Sequence, residues 1–153
     1  MKIFIPILLS ILLYSGCAQR NAFDDFALSQ TREKSEDVIQ TVKIKKADRV
    51  DGILTVVYLN KVLPKLYKNS EYFYVYYYLK DNNETLNFSL NNNPSMLREK
   101  LDSDNDFSYL TLFDAKWSRY NLIGFKKEGN VLNLKVTTSK GATATLQFIK
   151  DKI

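Results

Sequence analysis

Histidine is absent from this chain of 153 residues, and cysteine occurs once, at Cys17. Without histidine there is no Ser-His-Asp or Cys-His nucleophile, and the usual zinc and haem sites lack their ligands. A lone cysteine excludes an intramolecular disulfide. Glycine and proline are scarce, at 5 and 3 residues, which excludes collagen-like and low-complexity chains. No apolar run approaches the roughly 20 residues that a helix needs to cross a bilayer. What remains is a globular composition, 45% apolar and 25% charged. The length suits one domain large enough to bury a core without a disulfide or structural metal. Acid–base catalysis would have to use Asp/Glu pairs, and no two carboxylates stand out by placement. The expectation is no enzyme and no cofactor.

The amino terminus carries the most specific signal. Lys2 supplies a positive charge, Ile3 to Leu13 form an apolar stretch interrupted by Pro6 and Ser10, and Ser15-Gly16 stand directly before Cys17. That is the layout of an export signal. Leu13-Tyr14-Ser15-Gly16-Cys17 resembles the lipobox of bacterial lipoproteins, although Tyr14 stands where that family usually has Leu, Val or Ile. The resemblance implies cleavage before Cys17 and acylation of its thiol and new amino group. Two or three acyl chains give firm anchoring where one does not. Ala18, in place of the Asp that usually retains such proteins in the inner membrane, implies the outer membrane, on its periplasmic or surface face.

Removing residues 1–16 takes away only Lys2, leaving 21 basic residues against 17 acidic, a net charge of +4. In an envelope such an excess suits anionic headgroups or acidic glycans. Export argues against the nucleic-acid partner that a basic chain otherwise suggests. The chain divides into a signal peptide at 1–16, a lipidated Cys and polar tether at 17–37, and a domain at 38–153.

From Val38 the pattern is β. Val38, Val42 and Ile44 alternate with polar residues, Asp51-Gly52 reads as a hairpin turn, and Ile53–Leu59 reads as its second strand. Glu71–Lys80, Thr85–Leu90, Phe107–Phe113, Arg119–Lys127, Val131–Thr138 and Ala142–Lys150 complete about eight strands. Ser95–Leu101, after Pro94, reads as one or two helical turns with Ser95 as N-cap. Short strands at regular spacing predict an all-β, antiparallel, immunoglobulin-like sandwich of 7–8 strands, with a small closed barrel as the alternative. Small bacterial lipoproteins with such sandwiches are the group the chain resembles, and the anchoring lipoprotein of type VI secretion is similar in size.

The strand at 71–80 places Tyr72, Tyr74, Tyr76 and Tyr78 on one face and Phe73, Val75, Tyr77 and Leu79 on the other. Tyrosine combines contact area with a polar tip and suits recognition surfaces. The four tyrosines are therefore the candidate binding stripe, unless both faces of the strand are buried. Asp81-Asn82-Asn83-Glu84-Thr85 resembles the extended bacterial N-glycosylation sequon, which makes Asn83 a candidate acceptor. Asp102, Asp104 and Asp106 alternate as a calcium loop begins, but Phe107 and Phe113 stand where an EF-hand needs Gly and Glu. No metal is expected there. Lys43, Lys45, Lys46 and Arg49 form a basic hairpin face, read as a solvated surface or a contact for anionic lipid or peptidoglycan.

The resulting expectation is a membrane-anchored envelope lipoprotein, palmitoylated in the manner of its class, acting as a non-enzymatic binding or adhesion module for a protein or glycan partner. The alternative is a structural component of an envelope or secretion assembly.

Overall fold

The computed structural model describes residues 30–36, 38–111 and 117–150. The signal peptide, Cys17 and most of the tether lie outside the described residues.

Within them, nine strands pair into one antiparallel sheet that curls into a half-barrel. In chain order they are β1 (Ile39–Lys46), β2 (Arg49–Tyr58), β3 (Ser70–Leu79), β4 (Leu86–Leu90), β5 (Asn93–Pro94), β6 (Leu97–Leu101), β7 (Arg119–Lys126), β8 (Val131–Thr138) and β9 (Thr143–Ile149). Their order across the sheet is β5-β4-β8-β9-β1-β2-β3-β7-β6. A helix at 30–36 (α1) precedes β1, and a single turn, Leu59–Val62 (α2), follows β2.

The all-β, antiparallel expectation holds. Instead of two separately bonded layers, hydrogen bonding runs through the whole sheet, narrowing to the Lys45–Thr143 pairing between β1 and β9. The narrow link lets the four strands on one side of it fold over the five on the other. One core then fills the inner face, with Phe73, Val75, Leu54 and Ile123 from one half and Leu86, Leu134, Val136 and Phe148 from the other. Strict alternation in β8 and β9 is what aims their apolar residues inward.

A second cluster lies on the outer face, where Val57, Tyr74, Tyr120 and Leu122 are covered by Val38, Leu59, Val62 and Leu110. The end of the expected tether contacts it through Ser35. The buried Ser35 hydroxyl of α1 is hydrogen-bonded to the Leu110 carbonyl (2.7 Å), so residues 30–36 belong to the folded body.

Three local expectations are corrected. Ser95–Leu101 is not helical; Leu97–Leu101 forms β6, because β7 offers an open ladder that pairs Leu97 through Leu101 with Gly124 through Tyr120. Residues 108–110 form a 3-10 turn, not part of a strand, and 112–116 lie outside the described residues. Asp51-Gly52 is not the hairpin turn. The chain reverses between Lys46 and Arg49, with Ala47 at φ 50°, and Gly52 sits inside β2. A Cβ on Gly52 would stand 2.5 Å from the Tyr78 carbonyl oxygen, so glycine there serves close strand approach.

Candidate functional site

β3 is central, paired with β2 on one side and β7 on the other. Its alternation divides its residues between the two clusters as the sequence predicts. Phe73, Val75, Tyr77 and Leu79 are inner-core residues, and Tyr72, Tyr74 and Tyr76 belong to the outer face.

The structure separates the four tyrosines. Tyr74 is fully buried beneath Phe107, with their rings 5.3 Å apart, and beside Tyr120. Tyr72 is half-buried against the Tyr67 ring at 4.8 Å. Tyr76 stacks on Tyr120 at 5.8 Å and is half-buried. Tyr78 is 41% exposed. The stripe is therefore roofed at the Tyr72–Tyr74 end by α2, the segment after it and the 101–110 loop, and is open only at the Tyr76–Tyr78 end.

At that open end lies a groove of about 310 Å³. Tyr76, Tyr78, Ile53 and Trp117 supply its apolar walls, and Thr41, Thr55 and Ser118 supply hydroxyls. Cross-strand pairing builds the floor: Thr41 faces Thr55, Thr55 faces Tyr76, and Ile53 faces Tyr78. The Thr41 and Thr55 hydroxyls hydrogen-bond each other at 2.9 Å. Burial holds the Tyr76 phenol above its ordinary pKa, offset in part by the Thr55 hydroxyl, so it is a neutral donor at physiological pH. Trp117 is 69% exposed and Ile53 46%. The sequence reading missed Trp117, Ile53, Thr41 and Thr55. The exposed Trp117 lies on no regular element, so no periodicity could assign it a face.

The remaining predicted sites stay apart from the groove. Asn83 is exposed on the β3–β4 turn, and its amide N–H donates to Asp81 Oδ1 at 2.9 Å. Asp81 also accepts from Lys140, and these two contacts hold its carboxyl below the ordinary aspartate range. Asp102, Asp104 and Asp106 are exposed, and among the described residues no three acidic or thiol groups gather as a metal site. Asn105 organises that loop instead. Its Nδ2 donates to the Asp102 carbonyl at 2.7 Å, and its Oδ1 accepts the Phe107 N–H at 2.9 Å. Lys43, Lys45, Lys46 and Arg49 are exposed on the β1–β2 hairpin, with Arg49 paired to Asp51 at 2.7 Å.

One buried polar network went unforeseen. Glu71, 2% exposed, accepts from the Tyr58 hydroxyl at 2.6 Å, from Lys150 Nζ at 2.5 Å and from the Glu128 N–H at 3.1 Å. With every oxygen occupied, it ties strand ends together and has no spare capacity for chemistry.

Among the described residues no helix is long and apolar enough to cross a membrane. Comparison of the chain with family models, curated proteins and solved structures finds no match to any of them.

Proposed function

We propose that the protein is a lipid-anchored lipoprotein of the bacterial envelope, fastened through Cys17, whose folded domain is a binding module. The observation that carries the binding role is the groove of Tyr76, Tyr78, Ile53 and Trp117, open at one end of an otherwise roofed aromatic face. Exposed rings flanked by hydroxyls suit a ligand with flat apolar faces and polar edges, as a pyranose ring has. That favours a glycan partner over an extended protein surface. The lipoprotein part rests on the lipobox-like run before Cys17. The binding role needs only the curled sheet, not an immunoglobulin-like pair of layers.

Two measurements test the two halves separately. Acyl labelling in a bacterial host is expected for the wild-type chain and lost in Cys17→Ser; an unacylated protein with intact Met1 would reject the anchor. Retention on purified envelope glycans is expected to fall about tenfold or more in Tyr78→Ala/Trp117→Ala, since each stacked aromatic contributes on the order of 1 kcal/mol. Equal retention, or none with wild type, would reject the groove as a glycan site. Capture of envelope proteins with equal efficiency by both forms would favour the structural role.

A further inference from the structure

We propose that the open seam of the half-barrel holds a binding site for a phosphate group, distinct from the aromatic groove. A pocket of about 190 Å³ lies there, lined by Tyr77, Arg98, Lys100, Arg119 and Asn121. Strand register explains the gathering. Tyr77 pairs with Arg119 across β3 and β7, and Lys100 pairs with Asn121 across β6 and β7, so all five residues share the inner face.

Three features distinguish the pocket from a scatter of surface cations. First, no ion pair involves Arg98, Lys100 or Arg119 among the described residues. Asp81, a carboxylate that feels the field of Arg119, is already held by Lys140. Second, both guanidinium groups are fixed in advance. Arg98 Nη1 donates to the Leu86 carbonyl across the seam at 2.7 Å, and its Cζ lies 5.4 Å from the Phe88 ring centre. Arg119 Nη1 donates to the Glu84 carbonyl at 2.7 Å, its Nη2 donates to the Asn82 carbonyl, and its Cζ lies 6.0 Å from the Tyr77 ring centre. Each guanidinium carries five N–H donors, so donors remain for a ligand. Third, Asn121, 3% exposed, adds a carboxamide to the lining of the pocket.

Three positive charges and a buried amide donor call for a compact group with several acceptor oxygens and more than one negative charge. A phosphate or phosphate monoester meets that demand, and rigid arginine forks suit it. A single carboxylate would leave the site charged.

The test is calorimetric titration of the full chain, in detergent at a constant ionic strength of about 0.15 M, with inorganic phosphate and separately with glycerol 3-phosphate. Saturable binding with a Kd of about 1 mM or tighter is expected for at least one probe. Inorganic phosphate alone would point to the free ion, glycerol 3-phosphate alone to an ester such as a lipid headgroup, and both to the phosphate group itself. Lys100→Gln, at an exposed residue without an ion pair, is expected to weaken binding about tenfold. Asn121→Asp is nearly isosteric. It is expected to abolish binding and to raise the melting temperature in phosphate-free buffer, because its carboxylate takes the ligand's place among the cations. A merely structural Asn121 would give the opposite change in melting. No saturation by either probe, or wild-type affinity in both variants, overturns the site.

Discussion

Tyr74 and Tyr78 have the same side chain, four residues apart on one strand face, and opposite roles. Tyr74 is wholly buried in the outer cluster, in ring contact with Tyr76, Tyr120 and Phe107. Tyr74→Ala is expected to cost about 3–5 kcal/mol by chemical denaturation, the usual range for removing a buried aromatic. Tyr78→Ala, at the exposed end, is expected to stay within about 0.5 kcal/mol of wild type. Losses of similar size would mean that the stripe is uniformly buried or uniformly open. Tyr74→Ala is thus a stability variant, and only Tyr78 and Trp117 report cleanly on the groove.

Between elements, the turns at the upper end of the half-barrel are joined by charge. Lys140, on the β8–β9 turn, donates to Asp81 on the β3–β4 turn and lies 3.7 Å from the buried Glu84. The Asp81 carboxyl titrates below its ordinary value, chiefly because of the Lys140 contact and then the Asn83 N–H. A depressed folded-state pKa adds stability that is present above the unfolded value and is lost as pH falls through the folded one. Melting temperature should therefore fall more steeply in wild type than in Asp81→Asn below about pH 4. Parallel pH profiles would show that the link does nothing for the fold. The strands β3, β8 and β9 were legible in the sequence. β6 was not, because Ser95–Leu101 has no strand-like apolar alternation of its own. Its conformation comes from the unpaired edge of β7.

For the whole molecule, the Tyr58–Glu71–Lys150 network closes the lower end. It joins β2 to β3 and ties both to the segment after β9 and the β7–β8 turn. Burial, and then the Glu71 carboxylate, push the Tyr58 phenol far above its ordinary pKa. A raised folded-state pKa adds stability that is fully present below the unfolded value, about 10, and disappears as pH climbs through the folded one. An ultraviolet titration should therefore show tyrosines that ionise only as the protein unfolds, and Tyr58→Phe should reduce that phase. The same substitution leaves a Glu71 oxygen unpaired in a dry site and is expected to cost about 1–3 kcal/mol. An unchanged titration curve would overturn this assignment.

Alternating apolar residues along β3, β8 and β9 determined by themselves that the chain would be antiparallel β and which residues would face the core, because side-chain direction in a strand is a local matter. The lipobox-like run before Cys17 likewise needs no fold to be read. Tertiary structure decided the rest. Covering segments distant in sequence chose which tyrosines remain open, and curling of the sheet brought Arg98, Lys100, Arg119 and Asn121 to one seam. Both depend on which elements come to lie against one another across the sheet, and pairing partners are not written in any single strand.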